Sequence, residues 1–213
     1  MLSPESERIA ELLRARLDPL EAFQPAAPAQ RSDFDLNPEW NDARPSAWVE
    51  AAVLVPLIER PEGLSVLLTR RADTLNRHAG QVAFPGGRLE AGETPWAAAL
   101  REAQEEIDLD PAFVEVAGLS SSYRTGTGFH VTPVVGFLKP GFTVSAQEAE
   151  VAEVFEIPFA ALMDAANHEQ RHWDSPTGQR RFFYAIAHGE RTVWGATAGM
   201  VRALWERLYE EAA

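Results

Sequence analysis

Cysteine is missing from all 213 residues of this chain. That excludes a disulfide framework, a thiol nucleophile and zinc-finger spacings. Long apolar runs are missing too: no stretch approaches the roughly 20 residues of a membrane-crossing helix, so no membrane partner is expected. The N-terminus has no basic-then-apolar leader pattern, and Glu210-Glu211-Ala212-Ala213 is not an S-K-L type address; the expected location is the cytoplasm. Positive charge is scarce, with 19 Lys and Arg against 32 Asp and Glu and a formal net charge of −13. A nucleic-acid partner would want a broad basic surface, so none is expected. What is present, 46% hydrophobic residues in a chain of this length, supports one domain with a full core. We divide the chain into an N-terminal helix with a proline-rich connector, 1–45, and a main domain, 46–213.

The most informative stretch runs from Gly87 to Leu109. Thr94 suits a helix N-cap, and Pro95 suits the first helical position, where its missing N–H costs nothing. Trp96, Leu100, Ala103 and Ile107 follow the helical repeat as an apolar stripe. Glu102, Glu105 and Glu106 stand at i, i+3 and i+4, so their side chains meet on another face. Like charges so placed repel by roughly 0.2–0.5 kcal/mol per pair, and the last two also face the negative end of the helix dipole. A bound cation would relieve both penalties, and oxygen-only ligands favour Mg²⁺ or Mn²⁺ over zinc. A bare E-x-x-E-E would by itself read first as a solvated acidic face. Here the Pro85-Gly86-Gly87 turn, Glu93 and Arg101 accompany it at fixed offsets, and Arg101 can pair with Glu93 to pin the loop to the helix.

This segment resembles the Nudix box, G-x5-E-x7-R-E-U-x-E-E-x-G-U, with U a bulky apolar residue. Gly87, Glu93, Arg101, Glu102, Glu105, Glu106 and Leu109 fall on it. Ala103 is a small version of the apolar residue, and Asp108 replaces the second glycine. That glycine closes the helix in a left-handed conformation, which Asp tolerates at a cost on the order of 1 kcal/mol. Immediately upstream, Leu67, Leu68, Thr69, Arg71, Leu75, His78, Gly80, Val82, Phe84, Pro85, Gly86 and Gly87 match L-L-T-x-R and L-x-x-H-x-G-x-V-x-F-P-G-G. That pattern resembles the extension marking the coenzyme A pyrophosphatase branch of the Nudix hydrolases. The two motifs adjoin without a gap.

The resemblance implies a Nudix-type α/β/α sandwich with a mixed, curved β-sheet, and a metal-dependent hydrolase. The diphosphate of coenzyme A, and of its acyl derivatives, would be cut to 3′,5′-ADP and 4′-phosphopantetheine. Glu102 and Glu106 would hold Mg²⁺ or Mn²⁺; Glu105 would be a further ligand or the base, with Glu102 and Glu105 the catalytic pair. Substrate contacts would come from Arg70, Arg71, Arg77, His78, Gly86 and Gly87, with Glu93 and Arg101 supporting the site. Arg70, Arg71, Arg77 and Arg88 against Asp73 alone make a local +3 island between Leu67 and Arg88, suited to an anionic ligand. The alternatives are another nucleoside diphosphate derivative, such as NADH or ADP-ribose, and a non-catalytic binding or sensing module of the same fold.

Elsewhere, Ser3-Pro4 opens a helix carrying Ile9, Leu12, Leu13 and Leu17, which could cap the core of a monomer or mediate a homodimer. Pro19 to Pro45 reads as a connector over the surface. Strands are expected at 51–58 and 64–70 around an Arg60-Pro61-Glu62-Gly63 turn, then at 114–123, 131–138, 151–155, 181–186 and 192–194. Short and long helices are expected at 159–165 and 197–209. Ser121–Thr132, rich in glycine and hydroxyls, suits a flexible substrate-facing loop, with His130 its most testable member. Glu148, Glu150, Glu153 and Glu156 are candidates for an extra carboxylate at the site. His168, His172 and His188 read as surface or loop residues.

Overall fold

Ser3 caps the first helix, its Oγ accepting from the Ser6 amide at 3.1 Å, and Pro4 fills the first turn. In this computed structural model, which describes residues 3–25, 27–43, 45–74, 79–174 and 178–210, helix α1 (Pro4–Arg16) is followed by strand β1 (Arg31–Ser32). The hairpin β2 (Val49–Arg60) and β3 (Gly63–Arg71) turns at Pro61-Glu62, with Arg60 opposite Gly63. β4 (Val82–Ala83) and β5 (Gly86–Arg88) lead into helix α2 (Pro95–Ile107). β6 (Val114–Leu119), β7 (Tyr123–Arg124), β8 (Phe129–Leu138) and β9 (Val151–Pro158) complete the main sheet, and α3 (Phe159–Leu162) follows. A second sheet, β10 (His168–Asp174), β11 (Arg180–His188) and β12 (Arg191–Trp194), precedes helix α4 (Ala196–Tyr209).

β2 is central, parallel to β8 on one side and antiparallel to β3 on the other. Its residues are apolar on both faces, as a covered strand requires. Ala52, Leu54 and Ile58 pack towards α2, while Ala51, Val55 and Leu57 share a cluster with α1 and α4. A mixed sheet thus lies between helices on both faces, the expected α/β/α sandwich. Leu13 and Leu17 are buried in the same cluster as Val201, Leu204 and Leu208 of α4, so α1 caps the core of its own chain.

The expected stripe on α2 shifts by a fraction of a turn. Ala98, Ala99, Ala103 and Ile107 are fully buried, whereas Trp96 and Leu100 flank them, half-buried, with Trp96 edge-on to Phe23. Three alanines at the contact let the helix axis come close to β2, which lowers its carboxylate face onto the Gly86-Gly87 backbone. Asp108 ends the helix with φ 53° and ψ 32°, the left-handed conformation expected there. Asp108→Gly should therefore stabilise the protein by up to about 1 kcal/mol, read as a shift in the denaturation midpoint.

Four local expectations need correction. The strand at 114–123 is two strands: β6 carries a bulge between Val116 and Gly118, and Leu119 then bridges to Asp18 before β7 begins. The segment 159–165 is helical only to Leu162, and Asp164 caps a separate 3₁₀ turn. Ser121–Thr132 is half strand, with a tight turn at 125–128 where Thr125 Oγ1 accepts from the Phe129 amide. The connector is more than a surface wrap. Phe34, Asn37 and Trp40 are buried, β1 pairs with β7, and Asn37 makes paired hydrogen bonds to the Phe182 backbone (2.8 and 2.9 Å). A proline-rich stretch hides such anchors because they are single residues without periodicity.

Candidate active site

Loop 84–93 and helix α2 are locked together by one guanidinium. Arg101 donates through Nε and Nη2 to both oxygens of Glu93 (3.0 Å each), through Nη2 to the Arg88 carbonyl (3.0 Å), and through Nη1 to Glu102 (3.0 Å) and Glu105 (3.2 Å). The fork against Glu93 is the bidentate geometry that fixes orientation as well as distance. It holds the Glu93 carboxyl below its usual range and raises the guanidinium further. Arg101→Gln should cost about 2 kcal/mol, because half-buried Glu93 loses its partner and the loop its anchor. Equilibrium urea denaturation would measure that loss.

The three carboxylates of α2 differ sharply in environment. Glu106 is 5% exposed; its Oε2 accepts from the Gly86 amide at 3.1 Å, and its Oε1 lies 4.0 Å from Arg71 Nη1. Burial pushes its pKa up to about 7, aided by the negative fields of Glu102 and Glu150 and opposed by the Gly86 amide and Arg71. Glu102 is also raised by desolvation, against its pairing with Arg101. Glu105 is largely exposed and turned to Arg101. The glycines are explained by this closeness. A Cβ on Gly87 would stand 2.4 Å from Glu102 Oε1, and one on Gly86 would stand 2.3 Å from the Ala52 carbonyl oxygen.

Of the other sequence-derived candidates, Arg71 points into the cluster, and its Nε is buried with no hydrogen-bond partner among the described residues. Arg70 is spent on Asp73 (3.0 Å) and lies 3.9 Å from Glu153. Arg77 and His78 lie outside the described residues. Within the acidic run, Glu156 pairs with Arg60 and Glu153 with Arg191, whereas Glu150 exerts its field on both Glu102 and Glu106. Sequence spacing could not single out Glu150, because a turn at 147–150, bonded to the Glu106 carbonyl through Gln147, is what brings it near. His130 is buried and sits 3.2 Å from Glu50. His168 and His172 belong to β10; His168 Nε2 lies 2.7 Å from the Leu162 carbonyl oxygen.

Among the described residues no three acidic or imidazole groups enclose a cation by themselves. The donor set still suits a hard divalent ion of the Mg²⁺ kind, which takes one or two carboxylates and completes its shell with water and phosphate oxygens. Glu106 and Glu102 are two such carboxylates, crowded and desolvated, and a cation would favour the ionised form of each.

A family model for the NUDIX domain matches residues 49–180. An uncharacterized Nudix hydrolase NudL of Cronobacter sakazakii is 44% identical over 163 residues, 76% of this chain and 84% of that one. The protein of the same description from Salmonella paratyphi B is 44% identical over 157 residues, 73% of this chain and 80% of its own. Among solved structures, a C. elegans Ap4A hydrolase binary complex is similar over 52% of this chain and 80% of that chain, with 20% identity and a TM-score of 0.46. Members of this family act on pyrophosphate bonds and generally use divalent metal ions, which is the chemistry that buried Glu106 and partly buried Glu102 beside an arginine can serve. The chain belongs to the Nudix hydrolase family.

Proposed function

We propose that this hydrolase cleaves the diphosphate of coenzyme A, and of its acyl derivatives, into 3′,5′-ADP and 4′-phosphopantetheine in the cytoplasm. The observation that carries this reading is the convergence of two motifs. Arg71, from the upstream motif, reaches the carboxylate of Glu106, from the box, and the Pro85-Gly86-Gly87 turn shared between them donates its Gly86 amide to that same carboxylate. A motif that resembles the coenzyme A pyrophosphatase extension thus meets, at one carboxylate, the box residues proposed to act on the diphosphate.

In this reading Glu102 and Glu106 hold Mg²⁺ or Mn²⁺. When bound, the ion supplies neutralisation of the diphosphate oxygens and orientation of the attacking water. Arg71, lacking a hydrogen-bond partner at Nε, aligns a diphosphate oxygen beside Glu106. Glu105 is the exposed carboxylate and accepts the proton of water, a role worth about 10²–10⁴-fold. Arg101 and Glu93 keep the loop in register with the helix.

The test is mass spectrometry of products from equimolar coenzyme A, NADH and ADP-ribose with Mg²⁺ or Mn²⁺, and with EDTA as control. The expected result is metal-dependent 4′-phosphopantetheine and 3′,5′-ADP ahead of any other product. Preferential cleavage of another diphosphate would overturn the substrate, and no cleavage by folded protein would overturn the catalytic reading.

A further inference from the structure

A cavity of about 750 Å³ lies between the connector and the small second sheet, and no part of the reading above uses it. The pairing register explains its character. Trp173 stands opposite Arg181, Arg171 opposite Phe183, and Ala185 opposite Trp194, so these side chains share one face of the sheet. The other face carries Ile186 and Val193 into the core with α4. Trp40 and Asp33 of the connector and the 126–127 turn form the opposite wall. Trp173 and Trp194, on this face, are among the few large hydrophobic residues left exposed among the described residues, and both line this space. Aromatic rings gathered in a concavity of this size suit a small molecule with a planar ring.

The charge in the cavity narrows the choice. Arg181 places its guanidinium 3.9 Å from the Trp40 ring centroid and 6.0 Å from that of Trp173. Among the described residues it forms no ion pair, in a chain of net charge −13. A guanidinium stacked on a ring keeps its in-plane N–H donors free for an anion. The acidic neighbour, Asp33, feels the Arg181 charge but spends its oxygens on the Gly126 amide (2.6 Å) and the Tyr123 hydroxyl (2.8 Å), and the second cation, Arg171, is paired with Glu169. One aromatic-stacked cation with free donors thus faces exposed indoles.

We propose that this cavity binds a purine nucleotide, its base stacked on the exposed indole of Trp173 and a phosphate held by Arg181, which stands opposite Trp173 in the sheet. Two sources share that chemistry: the adenosine bisphosphate end of the substrate proposed above, and a separate free nucleotide. Both walls are tied to the catalytic turn. Thr197, just past Gly195, donates to the Val82 carbonyl ahead of Pro85-Gly86-Gly87, and Phe129, just past the 126–127 turn, lies under the Arg88 guanidinium at 5.6 Å.

Tryptophan fluorescence titration with adenosine 3′,5′-bisphosphate, AMP and adenosine, in EDTA, tests the site without requiring turnover. The expected result is saturable quenching, strongest for the bisphosphate, weakened about 10–100-fold in Arg181→Gln, the worth of charged hydrogen bonds. Trp173→Ala, at a 51% exposed position where folding is not at stake, should weaken all three compounds. A raised KM for coenzyme A at unchanged kcat in Arg181→Gln would identify the site as the substrate's adenosine end; lost quenching at unchanged KM would identify a separate nucleotide. No quenching by any compound, or quenching indifferent to Arg181, would overturn the proposal. So would light scattering showing a dimer that Trp173→Ala dissociates, which would make this face a self-association surface. The binding arm survives if coenzyme A proves not to be the substrate, and the substrate assignment survives if binding fails.

Discussion

Glu106→Gln should lower turnover by about 10²-fold or more, the several kcal/mol that a bound cation contributes to the transition state, while the protein folds as before. Glutamine keeps the shape and can still accept from the Gly86 amide through its carbonyl oxygen. What it cannot do is present a charged oxygen to a cation, or balance Arg71 at 4.0 Å. Steady-state kinetics with Mn²⁺ varied, alongside circular dichroism, would separate loss of chemistry from loss of structure. Turnover within threefold of wild type would remove Glu106 from the metal site. The matching change at exposed Glu105 should slow the reaction without weakening metal binding.

The second large effect concerns stability without metal. Glu106 has a pKa of about 7 in the folded chain, against an ordinary 4.5. The folded state therefore holds a proton that the unfolded state releases between those values, so stability falls as pH rises from about 4.5 to 7 and stays low above. The shift corresponds to roughly 3 kcal/mol at most. Denaturant midpoints in EDTA should decline across that window, and the decline should flatten in Glu106→Gln. Mg²⁺ or Mn²⁺ should restore the loss and raise the midpoint more at pH 8 than at pH 5, because the cation competes with the proton. A metal effect independent of pH would place the ion elsewhere.

Much of this was legible in the sequence for a definite reason. Thr94-Pro95 and Asp108 bound α2 by local rules of capping and left-handed closure, so both ends were readable without knowing the fold. Glu93 and Arg101 sit eight apart across a loop and a helix start, and their fork needs only that short geometry. β10 was not readable: its seven residues have no apolar alternation, since none is buried, and its place is set by pairing with β11. The Asn37 anchor and the Glu150 field were equally hidden, each depending on partners more than forty residues away. Burial of Glu106 was hidden as well. Spacing put its carboxylate beside Glu102, but only the close seat of an alanine-faced helix takes it out of water.

That same Asn37 has a bearing on solubility. β12 covers β11 only from Ala185 onward, leaving the main chain of residues 180–184 on that side without a neighbouring strand among the described residues. An uncovered edge of aromatic residues, here Phe182 and Phe183, is an invitation for another chain to add itself. Asn37 engages both the N–H and the C=O of Phe182, as a residue of a neighbouring strand would, and Gly195 takes the Tyr184 carbonyl. The connector thus occupies an edge that another strand could otherwise join, and a protein trimmed at residue 45 would carry that edge without the Asn37 bonds.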